Sequence, residues 1–107
     1  MEVHYSSKSN EWATPQKLFD ELNEEFNFTL DPCATDENAK CNKHFTIEDD
    51  GLSKDWSKDV VFMNPPYGRE IKKWIKKAYE ESLNGATVFC LIQARTYTKS
   101  WQEIIFD

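Results

Sequence analysis

VVFMNPPYG, residues 60–68, is followed by REIKKWIKKAYEESL at 69–83 and by ATVFCLI at 86–92. Val60 to Met63 is a continuous apolar run without polar alternation, which predicts a strand buried on both faces. Ile71, Trp74, Ile75, Ala78, Tyr79 and Leu83 recur at helical spacing and predict a helix over 69–83 with one apolar stripe. Asn84-Gly85 supplies its stop. ATVFCLI predicts a second buried strand. Strand, loop, helix, strand is the grammar of a parallel sheet in an α/β fold.

Working outward, Thr14-Pro15 reads as an N-cap followed by proline at the first helical position. Leu18, Phe19, Leu22 and Phe26 then predict a helix over 15–25 with one apolar face. Phe28 to Leu30, closed by Asp31-Pro32, reads as a short strand, and His44 to Ile47 as another. Residues 98–106 read as helical, and with the sequence stopping at Asp107 ATVFCLI is expected near an open sheet edge. Residues 1–11 are polar and read as a flexible arm, so 12–107 is the expected domain.

Parallel sheets place ligands at the carboxyl ends of their strands. Asp31-Pro32, Asn64 to Gly68 and Gln93 to Thr96 all fall at such ends. The topology therefore predicts three polar loops on one rim.

The bulk numbers agree with one globular domain. The chain has 107 residues, 39% hydrophobic and 30% charged, which is enough apolar material for a modest core. No stretch approaches the roughly 20 apolar residues that span a bilayer, so no membrane partner is expected. The N-terminus lacks the apolar run of a signal peptide. Three cysteines in no tight framework fit a reducing cytoplasm. The formal net charge of −6 has the wrong sign for a phosphate-binding surface, but the bases concentrate at 69–77, directly after the prolines.

Asn-Pro-Pro-Tyr has a specific chemical capacity. Asn64 offers a carbonyl acceptor and an amide donor. Pro65 and Pro66 fix their own φ angles and push the preceding residues toward extended geometry. The main-chain carbonyls of Asn64 and Pro65 are thereby aimed at low entropic cost. Tyr67 adds a flat ring, and Gly68 lets the chain turn into the next helix. An amino group conjugated to an aromatic base is a poor nucleophile because its lone pair is delocalised. Two acceptors on its hydrogens, the Asn64 side-chain carbonyl and the Pro65 main-chain carbonyl, favour a tetrahedral nitrogen with a localised lone pair. Tyr67 stacking on the base is worth about 1–3 kcal/mol. The reaction that fits is direct in-line transfer, driven by positioning and electrostatics.

With these residues in view, the chain resembles the phage-type DNA N-6-adenine methyltransferase family (Dam-like). The matching pieces are WATP at 12–15, LDPCATDENAKC at 30–41, HFTIEDDGLSKDW at 44–56, FMNPPYG at 62–68 and ARTYTKSW at 94–101. The likeness spans about residues 12–101. It implies a Rossmann-like S-adenosylmethionine-dependent methyltransferase sheet, truncated at its C-terminal end. Asp31, Pro32, Cys33 and Ala34 would line the methionine end of the cofactor. Trp12, Thr14 and Pro15 would cover it, and Asp50 would lie near its adenine. Asn64, Pro65, Pro66 and Tyr67 would hold the target adenine of DNA, flipped out of the stack. By position, Arg69 beside the turn and Arg95 and Thr96 at a strand end on the rim are the expected DNA contacts. A bacterial host cytoplasm is the implied location, and self-association or a missing C-terminal fragment the implied means of completing the sheet.

Other features read more plainly. Cys33, Cys41, His44 and Cys90 lack the close ligand pairs of a zinc site, so no metal is expected. The lysines of 69–77 fit a solvated helix face. Trp56 and Trp101 fit packing roles. Asp49 and Asp50 also fit an Asp-Gly turn with Gly51. Two rival functions share the motif: amino-group transfer to a protein glutamine, and a shortened, inactive relic that keeps cofactor or DNA binding.

Overall fold

The computed structural model describes residues 14–66, 68–93 and 101–107. Helix α1 spans Gln16–Phe26, a single 3₁₀ turn spans Gly51–Ser53, strand β1 spans Val60–Met63, helix α2 spans Ile71–Leu83, strand β2 spans Thr87–Gln93 and strand β3 spans Trp101–Phe106. The sheet order is β1-β2-β3. β1 and β2 are parallel, with Val61 opposite Val88 and Met63 opposite Cys90. β2 and β3 are antiparallel, with Phe89 opposite Ile105.

The strand alternation explains how the sheet is covered on both faces. Val61 and Met63 of β1 and Val88 and Cys90 of β2 pack with Trp56, Trp74 and Ala78, the last two from α2. Phe62 of β1 and Phe89 and Leu91 of β2 pack with Phe28 and with Phe19 of α1. Phe19 meets Phe62 edge-on at 5.0 Å, a favourable quadrupole arrangement. One helix therefore lies on each face, as the uninterrupted apolar run at 60–63 predicts.

Beyond β1, two short segments extend the parallel arrangement by single bridges. Leu30 pairs with Val61, and Asp31 pairs with His44. The Phe62 N–H donates to the Leu30 carbonyl at 2.9 Å, and the Phe45 N–H to the Asp31 carbonyl at 3.0 Å. The two short strands expected at 28–30 and 44–47 are thus reduced to one bridge each. After Phe45 the chain turns, because the Asp49 carboxylate accepts the Thr46 N–H at 2.8 Å and its hydroxyl at 3.2 Å.

Further sequence expectations are corrected. Residues 101–106 form β3, not a helix: Trp101, Ile104, Ile105 and Phe106 are aromatic or β-branched, and the β2 edge offers them a hydrogen-bond ladder. ATVFCLI is consequently the central strand, covered on both edges. The apolar stripe of α2 is also narrower than its spacing suggests. Tyr79 and Leu83 are 54% and 69% exposed, while Glu81 is buried with Trp74 and Ala78. The helix stop does fall at Asn84-Gly85, with Gly85 at φ 115°.

The start of α1 shifts by one residue. Pro15 is the N-cap, with φ −60° and ψ 139°, and no side chain caps the helix. Thr14 is therefore not the cap; its hydroxyl is engaged elsewhere.

Candidate active site

Asn64, Pro65 and Pro66 follow the last residue of β1, so the parallel pair delivers them to its carboxyl end. Asp31 ends the segment beside β1, and its bridge to His44 holds it on the same side. Between these segments lies a cavity of about 560 Å³, within the usual range for a small-molecule site. Its wall includes Thr14, Asp31, Pro32, Cys33, Ala34, Asp50, Asn64, Pro65 and Pro66. The structure thus brings nine of the sequence-selected residues to one cavity. Pro15 is exposed and outside that wall, and so is Arg69, although its neighbour Glu70 lines the cavity. Trp12, Tyr67, Arg95 and Thr96 lie outside the described residues.

Asp31 is 4% exposed. Its carboxylate accepts the Lys40 main-chain N–H at 2.9 Å and the Cys33 main-chain N–H. Burial nevertheless pushes its pKa up to about 6, against the opposing pull of these bonds and of the charges of His44 and Lys40. The Lys40 ammonium turns away to Gln16 Oε1 at 3.0 Å.

Asn64 is held on two sides. Its side-chain Nδ2 donates to Thr14 Oγ1 at 2.8 Å. Its main-chain carbonyl accepts the Cys33 thiol at 3.4 Å. Burial, reinforced by the Asp31 charge, drives the Cys33 thiol well above its ordinary range. Cys33 is therefore a protonated donor at neutral pH, not a thiolate nucleophile.

The Asp50 wall is fixed from behind. Asp50 sits at φ 60°, a left-handed conformation that aspartate tolerates, and begins the 3₁₀ turn. The next residue, Gly51, packs against the Pro32 carbonyl so closely that a Cβ there would lie 2.3 Å from the oxygen. The Trp56 indole N–H donates to the Gly51 carbonyl at 3.0 Å. The Trp56 main-chain N–H in turn donates to Glu81 Oε1 at 2.9 Å, and Lys77 pairs with Glu81 Oε2 at 2.7 Å. Trp56 stacks on Trp74, which reaches the cavity wall. The expected packing role of Trp56 is what the structure shows, and it extends to supporting this wall.

Several wall residues escape sequence reasoning. Phe62 and Trp74 read as core, and both also line the cavity. Ile47 lines it while 92% exposed, a large apolar side chain at its mouth. Lys40, Thr46 and Leu52 also contribute. The available signals are the glycine after Asp50, which marks a close approach, and the helical stripe that begins right after the prolines.

His44 donates to Asp36 at 2.9 Å, a bond that raises its pKa. Cys41 and Cys90 are pushed up by burial to about 11 and about 12. Among the described residues no group of His, Cys, Asp and Glu side chains is arranged to hold a metal ion. Also among them, no helix is long and apolar enough to cross a membrane. On the basic helix, Lys73 and Lys76 lie 3.6 Å and 3.8 Å from Glu70 and Glu80, ordinary exposed pairs of a solvated face.

Residues 4–107 match the family model described as DNA N-6-adenine-methyltransferase (Dam). The chain is 33% identical over 90 residues to a DNA N-6-adenine-methyltransferase of Haemophilus phage HP1 (strain HP1c1), an alignment covering 82% of this chain and 52% of that one. It is 31% identical over 94 residues to a DNA N-6-adenine-methyltransferase of Escherichia phage T1, covering 86% of this chain and 39% of that one. The chain therefore spans about half or less of the length of these two relatives. No solved structure matches it significantly. With 104 residues under the family model (4 through 107), the chain belongs to the DNA N-6-adenine-methyltransferase (Dam) family.

Proposed function

We propose that these residues carry the cofactor pocket and the amino-group clamp of an S-adenosylmethionine-dependent DNA adenine-N6 methyltransferase. The observation that carries the reading is the opening of the Asn64-Pro65-Pro66 segment and of the buried Asp31 carboxylate on one cavity. The parallel β1–β2 pair, joined through α2, supports a Rossmann-like sheet. The share of each relative's length that is covered supports reading 12–107 as part of a larger methyltransferase domain.

The donor set suits the cofactor. Asp31 and Asp50 put carboxylates on the wall, and the raised pKa of Asp31 marks a buried acid short of positive charge. A ligand carrying a sulfonium and an ammonium supplies it. Asp31, Pro32, Cys33 and Ala34 would hold the methionine end, Trp12, Thr14 and Pro15 would cover it, and Asp50 would accept from the adenine amino group. When bound, S-adenosylmethionine supplies an electrophilic methyl group to an attacking nitrogen.

The chain's own residues do the rest. The Asn64 side-chain carbonyl and the Pro65 main-chain carbonyl accept the two hydrogens of the target amino group and draw its nitrogen toward tetrahedral geometry. Its lone pair then points along one axis for in-line attack, and the proton that becomes acidic on methylation passes to solvent water, because the two amide carbonyls accept hydrogen bonds but are too weakly basic to take it. Pro65 and Pro66 keep the acceptors aimed without reorganisation. Tyr67 stacks on the flipped base, and Arg69, Arg95 and Thr96 meet the DNA around it. The bacterial cytoplasm is where such a reaction would run.

The test is methyl transfer from labelled cofactor to unmethylated DNA, beside Asn64→Ala. Label in DNA adenine that falls by about 10²–10³-fold in the variant supports the reading. Retained cofactor binding without label in DNA would sink it in favour of a binding relic, and label in protein would redirect it to glutamine.

A further inference from the structure

We propose that the Lys40 ammonium is the partner of the cofactor's α-carboxylate, so that the wall recognises the methionine end as a zwitterion; this rests on S-adenosylmethionine being the ligand of the cavity. That ligand carries a sulfonium, an ammonium and a carboxylate. Asp31 and Asp50 suit its positive and hydrogen-bond-donating groups, and Glu70 adds a third acid to the wall. A carboxylate brought against such a wall needs a counter-charge, because leaving water without one is strongly disfavoured. Among the described residues of the wall, Lys40 alone has a cationic side chain.

The place of Lys40 fits the geometry of an amino acid. The ammonium and the carboxylate of the methionine end sit on one carbon atom, so their protein partners must be neighbours. The Lys40 main-chain N–H donates to Asp31 Oδ2 at 2.9 Å, which fixes the two residues side by side although nine positions separate them. Yet among the described residues no ion pair joins them. Lys40 Nζ donates to Gln16 Oε1 at 3.0 Å, and Gln16 Nε2 donates to Asp20 Oδ1 at 2.8 Å. These bonds draw the ammonium toward α1, while main-chain donors hold Asp31. Both charges therefore stay available instead of neutralising each other. An ammonium has three hydrogens, and the Gln16 bond uses one without cancelling the charge. Lys40 is half-buried, and burial lowers its pKa against the opposing pull of Asp31 and Asp20. That is the mark of a cation whose surroundings leave it under-compensated.

The bond to Gln16 also suits a plainer role, a tether between this loop and α1. The two roles differ in what the ligand's carboxylate contributes. A tether acts on the shape of the wall, and its loss weakens every ligand alike. A carboxylate partner acts on one group of the ligand, and its loss is felt only when that group is present. The Asp31 hydrogen bond comes from the main chain of Lys40, so a side-chain substitution leaves that donor in place.

The experiment measures dissociation constants of S-adenosylmethionine and of its decarboxylated form for the full chain, Lys40→Met and Lys40→Arg, with Lys40→Gln in place of Met should the latter not fold. Methionine keeps the length and the apolar stem, and arginine keeps the charge. The expected result is an affinity for S-adenosylmethionine about 10–100-fold lower in Lys40→Met and within about fivefold of wild type in Lys40→Arg. Affinity for the decarboxylated form stays within about threefold of wild type in both, or rises in Lys40→Met, because the lysine repels the ligand's ammonium. Equal losses for the two ligands overturn the proposal and make Lys40 a tether. Unchanged affinity for S-adenosylmethionine in Lys40→Met overturns it as well. A wild-type chain that binds neither form defeats the cofactor pocket and this assignment together. One that shows the expected discrimination but transfers no methyl group to DNA defeats only the methyltransferase reading, and Lys40 stands as the carboxylate partner.

Discussion

Two buried aspartates flank β1, and the chain equips them differently. Asp59, immediately before the strand, accepts the Thr29 hydroxyl at 2.9 Å and pairs with the Lys43 ammonium at 2.7 Å. Asp31, on the segment beside the strand, receives two main-chain N–H groups, and among the described residues no lysine or arginine forms an ion pair with it. Burying a carboxylate costs several kcal/mol unless hydrogen bonds and a counter-charge offset it. At Asp59 the scaffold provides both. At Asp31 the charges of His44 and Lys40 act without forming an ion pair among the described residues, and the residue lines the cavity. Under the proposed function, the difference would make one acid a brace and the other a place for a ligand's positive charge.

Substitution breaks the comparison most sharply. Asp59→Ala leaves the Thr29 hydroxyl and the Lys43 ammonium without their acceptor, and should lower unfolding free energy by about 2–3 kcal/mol in urea titrations. Cofactor affinity should stay within about threefold. Asp31→Asn should do the reverse: affinity for S-adenosylmethionine falls by about 10²-fold, while the fold at pH 8 becomes no less stable. Equal losses of stability in both variants would remove the distinction.

The pH profile sharpens the same contrast. Burial raises the Asp31 pKa from 3.8 to about 6, so the folded protein holds that proton more tightly than the unfolded chain. Its contribution to stability is full below about pH 4 and is lost as pH rises through 6, a change of order 2–3 kcal/mol. Cofactor binding should run the other way, since a cation prefers the ionised acid. Affinity should weaken about tenfold per pH unit below 6 and be flat above it. Calorimetry from pH 4.5 to 8, with Asp31→Asn as the flat reference, measures both slopes. Slopes of the same sign would contradict a ligand-facing Asp31.

The parts legible in the sequence are those whose signals are local. Val60–Met63, the helix after the prolines and ATVFCLI each carry their own pattern, and Asp31 and Asn64 follow from the strand-end rule. Trp101–Phe106 carries no decisive pattern, because its strand identity comes from the β2 edge it pairs with. Thr14 misleads for the same reason: capping grammar is local, whereas its partner is Asn64. The cavity wall contributed by Lys40, Ile47, Phe62 and Trp74 is a product of tertiary approach, which no spacing encodes.

Gly51 tests the seam between scaffold and site. Its backbone lies against the Pro32 carbonyl with no room for a methyl group, and the Trp74 ring closes the other side at 3.2 Å. Gly51→Ala should cost about 2 kcal/mol through forced separation of the two walls, read as a lower urea midpoint. Cofactor affinity should drop with it, because Pro32 and Asp50 both move. A normal midpoint with normal affinity would mean that the seam yields without consequence.

The smallest effect is expected one step further back, at Trp56. Its indole N–H satisfies the buried Gly51 carbonyl, its main-chain N–H is held by Glu81, and Lys77 lies 5.3 Å over its ring. Trp56→Phe keeps an aromatic ring against Trp74 but removes one of two donors to the Gly51 carbonyl, leaving it the Lys54 main-chain N–H at 3.2 Å. The expected cost is about 1 kcal/mol of stability. If Trp56 serves the wall as well as the core, S-adenosylmethionine affinity should fall severalfold, since the Asp50-Gly51 turn loses its anchor while Asp31 and Asn64 keep theirs. Lys77→Met, which loosens the same helix contact without touching the Gly51 bond, separates the two roles. A stability loss in both variants with affinity unchanged in each would assign Trp56 to the scaffold alone, alongside Asp59.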